Sequence, residues 1–144
     1  RWYESLFPVL EELHIGYVAF SPLANGFLSG RYDKTSTFEA ETDYRSVMPQ
    51  FQPKNIDRNR ELLSLLNRLA DEKDAAPAQI SLAWMLCKKP YIVPIPGTRK
   101  LSRLTENAGA ADVILSAEEV ASIDKALDGM EMSQVFGGSK IVSK

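Results

Sequence analysis

Only one cysteine and one histidine occur in the 144 residues. Cys87 alone cannot build a disulfide framework or a multi-cysteine metal site. His14 alone cannot build a histidine-rich zinc site, so no metal is expected. No apolar run approaches the ~20 residues that a membrane span requires, and no membrane partner is expected. Positive charge is not in excess: 17 Lys and Arg face 19 Asp and Glu, for a net charge of −2. That balance argues against a nucleic-acid partner, which favours a basic surface. Neither a Walker pattern nor G-x-G-x-x-G occurs, so the common phosphate fingerprints are missing. No Ser-His-Asp or Cys-His arrangement is present. The acidic pairs Glu11-Glu12 and Glu118-Glu119 are adjacent, diverge on a helix, and read as solvated or capping groups. There is no internal repeat, low-complexity tract or interdomain linker. No signal-peptide pattern is visible, although the sequence begins at Arg1 rather than Met, and a reducing cytoplasm is the expected location.

What remains has the composition of an ordinary globular domain, 44% hydrophobic and 25% charged, long enough for one core. Leu6, Val9, Leu10 and Leu13 form an apolar stripe, which predicts a helix over 2–13 that starts near Phe7, with Pro8 in its first turn. His14 is expected to flank that helix end on the surface. Residues 16–20 are an apolar run of strand length, expected to be buried on both faces as in a parallel sheet. Residues 32–55 lack periodicity and read as a long loop, a functional lid or a disordered segment. A helix is expected over 55–70, capped by Asn55, with Leu62, Leu65, Leu66 and Leu69 inward. Another is expected over 77–87, with Pro77 in its first turn and Ile80, Ala83, Trp84 and Cys87 facing the core. Cys87 then reads as a small buried hydrophobe. Residues 91–95 look like a second buried strand. Ser116 and Glu119 form a capping box, with Leu115 and Val120 as the hydrophobic staple, for a helix over 116–127. The tail, about 129–144, is expected to fray.

Chemistry concentrates in two segments that follow the strands. After Ile95, Pro96-Gly97 breaks the strand and a helix is expected from about Lys100, so unpaired backbone N–H groups at its start could meet an anion. Arg99, Lys100 and Arg103 are spaced to share one helical face, Asn107 lies one turn further along, and Thr98 offers a hydroxyl at the turn. A phosphate carrying a ring fits this spacing, and so does a solvated basic face. After the first strand, Gly26 and Gly30 bracket an apolar pair. They read as a plain glycine turn or as a place where backbone meets ligand. Strand, helix, strand order implies a parallel crossover, which would put both segments on the same rim.

The residues resemble a known family. I-V-P-I-P-G-T-x-K-x-x-R-L-x-E-N, over 92–107, is similar to the last-strand segment of the aldo-keto reductases. F-S-P-L-x-x-G-F-L-S-G, over 20–30, is similar to their loop over the cofactor's pyrophosphate. Asp43-Tyr44-Arg45 and Met48-Pro49-Gln50-Phe51 resemble the family's D-F-R…P-R-F, with Gln50 where an arginine is common. The resemblance implies NADPH as cofactor. It implies that Ser21, Pro22, Leu23, Gly26 and Gly30 contact it, with Leu28 helping to close the loop. It also implies that Ile95 contacts the cofactor, that Gly97, Thr98 and Arg99 lie by the 2′-phosphate, that Arg103 is the main cation, and that Glu106 and Asn107 hold the adenine.

The implied fold is α/β, a (β/α)8 TIM barrel with parallel strands and outer helices. A whole barrel takes roughly 250 residues, so the expectation is one partial domain over 1–144, the C-terminal half of the barrel, with a lid at about 24–55. The family reduces a small aldehyde or ketone by hydride transfer, using a tyrosine aided by lysine, aspartate and histidine. None of those motifs is in the chain, which is therefore expected to be inactive alone. The alternative is a non-catalytic nucleotide-sensing or interaction module, like the potassium-channel beta subunits of the same family. A partial barrel leaves sheet edges open, which predicts self-association or pairing with the N-terminal half.

Overall fold

Leucines at helical spacing build the centre of the molecule. Leu62, Leu66 and Leu69 of helix α3 (Arg60–Glu72) bury their side chains against α4 (Pro77–Lys88) and α6 (Ala117–Asp128). A computed structural model describes residues 5–128. The expected helix start at residue 2 and the expected fraying of 129–144 lie outside them. Helix α4 is apolar nearly all round and buries every residue from Ala78 to Trp84 except Gln79. Such a helix belongs in the interior, and α4 packs against α3 and α6 as well as against the sheet.

Two helix starts show how local chemistry sets the boundaries. The Ser116 hydroxyl accepts from the Glu119 N–H at 3.2 Å, while Glu119 Oε2 accepts from the Ser116 N–H at 2.6 Å. This is the expected capping box. Helix α4 has Ala76 before Pro77 and only the reciprocal half: Gln79 Oε1 accepts from the Ala76 N–H at 2.8 Å. Trp84 Nε1 donates to Asp124 Oδ1 at 3.0 Å and Lys88 Nζ donates to both oxygens of Asp124, which ties α4 to α6.

Strands β1 (Tyr17–Phe20) and β2 (Ile92–Ile95) pair in parallel, with Tyr17 opposite Ile92 and Phe20 opposite Ile95. Together with the flanking helices they make an α/β fold. Ile92 is buried. The expectation of burial on both faces is corrected: Val18 and Phe20 are each 61% exposed, and Val93 and Ile95 are exposed beside them. Helix α4 covers one face of the sheet, and no described residue covers the other.

Four further expectations change. Helix α1 (Phe7–Glu12) buries only Phe7, and its stripe residues Leu6, Val9 and Leu13 face solvent; a stripe is buried only where another element lies against it. The helix expected over 55–70 breaks at Asn59 into α2 (Pro53–Arg58) and α3. Asn55 therefore lies inside α2 rather than at a cap, and its Nδ2 donates to the Pro49 carbonyl at 2.7 Å. The lid holds 3-10 turns at Tyr44–Val47 and Pro49–Phe51 as well as α2. Phe27, Met48, Phe51 and Ile56 give it a small core of its own, with Tyr32 and Phe38 against it. Cys87 is exposed, because the core covers α4 only as far as Trp84 and Met85 and the last turn runs beyond it. His14 does end α1: it adopts φ 54° and the next N–H, of Ile15, bonds back to the Leu10 carbonyl at 2.9 Å, a left-handed helix stop.

Three ion-paired carboxylates sit below their ordinary pKa, two of them tying segments distant in sequence. Lys73 bonds Glu119, Lys89 and then Tyr91 bond Glu11, and Arg45 pulls Asp43 down to about 2. Their folded values lie below the ordinary 4.5 for glutamate and 3.8 for aspartate, so their stabilisation is complete above about pH 5 and disappears as pH falls through the depressed values. The expected result is a urea midpoint that is flat from about pH 6 to 8 and falls below about pH 4.5. A midpoint that holds to pH ~3 would remove these pairs from the account.

Candidate functional site

The chain turns sharply where β1 ends. Ser21, Ala24 and Asn25 take positive φ (52°, 48° and 58°), as do Gly26 at 93° and Gly30 at 70°. Left-handed backbone costs a non-glycine residue roughly 1–2 kcal/mol, and such strain gathers where a loop must hold one shape. The 3-10 turns at Ala24–Ser29 pack the segment against α4. Gly26 takes a φ that L side chains rarely adopt, and a Cβ there would lie a tight 3.2 Å from the Tyr32 ring, which would have to give way.

β2 ends at Ile95 and the second segment follows. The Thr98 hydroxyl accepts from the Lys100 N–H at 3.1 Å, and helix α5 (Leu101–Ala108) begins with no side-chain cap. Its first N–H groups are left for water or a ligand.

Both segments line one cavity of about 710 Å³. Ser21, Pro22, Leu23 and Gly26 come from the first; Ile95, Gly97, Thr98, Arg103, Glu106 and Asn107 come from the second. The parallel pairing of β1 and β2 causes this convergence, because it brings both strand ends to the same side. Three expected residues lie off the wall. Leu28 packs into the two hydrophobic clusters, and Gly30 backs onto Asn67 and Pro77. Arg99 sits exposed in the bend before α5. Arg99 and Arg103 therefore do not share a helical face, since the helix starts at Leu101, and Lys100, at the N-cap, is extended as well.

The wall also carries residues to which sequence reasoning gave no role. Arg31, Tyr32, Asp43, Tyr44 and Arg45 all line it. A signal existed in the D-Y-R motif and in the cation directly after Gly30, but neither says which way a side chain faces. Arg103 is ion-paired with Glu106 and Arg45 with Asp43. Arg31 makes no ion pair among the described residues. Asn107 is only 9% exposed, and its Oδ1 accepts no hydrogen bond from the described residues. A buried acceptor left over on a cavity wall is a group that a ligand donor can satisfy.

Among the described residues no lysine or histidine lines the cavity, and the Tyr32 hydroxyl is bonded to Arg45. Among the described residues there is no cluster that could hold a metal ion, and no helix is long and apolar enough to cross a membrane. The arrangement sets arginines, a turn hydroxyl and an unfilled amide acceptor around one cavity, chemistry suited to a polyanionic ligand with a ring.

The family model for the aldo/keto reductase family matches residues 1–128. The chain is 36% identical over 128 residues to aldo-keto reductase str7 of Strobilurus tenacellus, covering 89% of this chain and 38% of that protein. It is 39% identical over 121 residues to aldo-keto reductase yakc [NADP(+)] of Schizosaccharomyces pombe, covering 84% of this chain and 35% of that protein. The chain thus spans little more than a third of the length of these relatives. Its fold is similar to that of the glycerol dehydrogenase AKR11B4 from Gluconobacter oxydans, with TM-score 0.80 over 94% of this chain and 42% of that one, at 23% identity.

Proposed function

The chain belongs to the aldo/keto reductase family, and on that premise we propose that these residues form the dinucleotide-gripping, C-terminal part of an NADPH-dependent carbonyl reductase barrel. The observation that carries this reading is the shared cavity: Ser21 and Arg103, far apart in sequence, line it together. Ser21, Pro22, Leu23 and Gly26 would hold the pyrophosphate, with Leu28 and Gly30 fixing the shape of that turn from behind. Thr98, Gly97 and Arg103 would take the 2′-phosphate, with Ile95 beneath them and Arg99 at the outer edge. Glu106 and the unsatisfied Asn107 Oδ1 suit the amine of adenine. Arg31, the wall cation without a carboxylate partner, joins the phosphate-binding set. The NADP(+) in the name of yakc supports the phosphorylated cofactor.

When bound, NADPH supplies the hydride for a small aldehyde or ketone. The part of these residues is to bind and orient it. Proton delivery to the nascent alkoxide needs the family's tyrosine, lysine, aspartate and histidine, and among the described residues the cavity wall offers no lysine or histidine. That same fact favours, as the second reading, a non-catalytic nucleotide-sensing module of the family. The open sheet face with Val18, Phe20, Val93 and Ile95 supports burial against further polypeptide, from the rest of a barrel or from a second copy. A reducing cytoplasm suits the free, exposed thiol of Cys87.

The test is a fluorescence titration of the 144-residue chain with NADPH and NADH, followed by addition of a reactive aldehyde. Saturable binding that favours NADPH is expected, with no oxidation of the cofactor. Absence of any NADPH binding would end the reading, and turnover by the pure chain would end the division of labour.

A further inference from the structure

The segment after Gly30 is held to the turn before it by aromatic rings and one guanidinium. The Tyr32 ring meets Phe51 edge-on at 5.4 Å and tilts against Phe38 at 5.4 Å. Its Cε2 would stand 3.2 Å from a Cβ placed on Gly26, so the ring lies beside that turn. Its hydroxyl accepts from Arg45 Nη1. Arg45 Nε in turn donates to both oxygens of Asp43, at 2.8 and 3.1 Å, and Nη2 also reaches Oδ2. The guanidinium carbon stands 5.1 Å from the centre of the Tyr32 ring and 4.7 Å from that of Phe38. Gly26, Tyr32, Asp43 and Arg45 all lie on the cavity wall.

The charge of Arg45 is already compensated by Asp43, and most of its planar donor fork is engaged. It offers an incoming anion little net attraction. Its position instead joins two segments that have no long helix or strand of their own: the turn at Ala24–Ser29, which rests on α4, and the 3-10 turns at Tyr44–Val47 and Pro49–Phe51, the second of which rests on α2. The small core beneath them is distinct from the leucine core and touches it only through partly buried residues such as Leu28. Segments of this kind open locally at lower cost than the whole fold, and such openings govern ligand release.

We propose that Tyr32 and Asp43 are positioning residues that pin Arg45 as a latch between the 24–29 turn and the 43–51 segment, and that this latch sets how long a dinucleotide stays bound. The proposal rests on the NADPH reading above. The two ends of the latch act differently. Tyr32 anchors it to the turn through Gly26, while Asp43 both fixes the fork and caps its own turn by accepting from the Arg45 N–H at 3.0 Å. Asparagine can cap as aspartate does, so Asp43→Asn keeps the local turn and removes the charge pair. Tyr32→Phe keeps the ring and removes the acceptor.

The test is stopped-flow dissociation of NADPH from the 144-residue chain, with hydrogen exchange on the ligand-free protein. Tyr32→Phe and Asp43→Asn are each expected to speed dissociation about tenfold, as loss of a hydrogen bond to a charged group does. Association should change less than about twofold, because affinity differences within one site lie mainly in the off-rate. Arg45→Lys retains the charge without the planar fork and should dissociate as fast as the other two variants. Exchange protection should fall over 24–51 and hold in α3 and α4, which a general loss of stability would not produce. Unchanged dissociation in Tyr32→Phe and Asp43→Asn, or normal behaviour of Arg45→Lys, overturns the latch. If Arg103→Ala abolishes binding while these variants release NADPH normally, the latch falls and the NADPH reading stands. If the unaltered chain binds no NADPH, the reading falls, and unchanged protection over 24–51 in the variants rejects the latch independently.

Discussion

Arg103→Ala is expected to weaken NADPH binding about a hundredfold while changing NADH binding less than about threefold. A phosphate held by a guanidinium in a partly enclosed site gains charge-assisted hydrogen bonds of about 1.5–3 kcal/mol, and a hundredfold is ~2.7 kcal/mol. Two features place the effect at the upper end. The Arg103 side chain is three-quarters covered, and it pairs with Glu106 on the same wall. Removing the guanidinium also leaves the Glu106 carboxylate uncompensated near a dianionic phosphate, which adds repulsion to the lost attraction. Arg99→Ala should cost far less, because Arg99 lies outside the cavity in an exposed bend, where water and salt screen its charge. Parallel titrations of both variants with both dinucleotides are decisive. Equal losses for NADPH and NADH would mean that Arg103 supports the helix rather than the 2′-phosphate.

The second large effect is on stability. Ile80→Ala is expected to lower the unfolding free energy by about 3 kcal/mol. Ile80 is fully buried and belongs to the cluster of Leu62, Leu66, Leu69, Trp84 and Ile123. The cavity left behind is walled by three helices that cannot close over it without moving one another. Against a typical total of 5–15 kcal/mol, the loss is large. It should also loosen the site. Helix α4 packs on the Ala24–Ser29 turn, its Ser81 hydroxyl donates to the Pro77 and Leu28 carbonyls, and Ala78 lies on the cavity wall. Leu101→Ala, at a residue 79% exposed on α5, is the control and should change stability by less than about 0.5 kcal/mol. Urea unfolding of both variants tests the contrast. Similar losses from the two would mean that the described core does not dominate stability.

Each element that could be read correctly from the residues was governed by its immediate neighbours. Ser116 and Glu119 satisfy each other across three positions, and the Leu62–Leu66–Leu69 stripe follows helical spacing. The two strands lie within a residue of their expected limits, because apolar runs bounded by glycine and proline punctuate the chain at short range. Cys87, the α1 stripe and the outer sheet face were misjudged for one shared reason: periodicity shows that a face is apolar, not that something covers it. Arg99 shows a different limit. A spacing of four aligns two side chains only if both lie inside the helix, and α5 begins two residues too late.

The sequence by itself determined which family the chain belongs to, where its strands and most of its helices lie, and which residue types could grip a phosphorylated dinucleotide, since motif, cap and spacing are properties of short stretches. Only the tertiary structure decided that Arg103 and not Arg99 reaches the cavity, that Arg31, Tyr32, Asp43 and Arg45 share its wall, and that half of a small sheet stands open. Those outcomes depend on where the parallel pairing of β1 with β2 and the packing of α4 carry residues distant in sequence, and no local pattern encodes that distance.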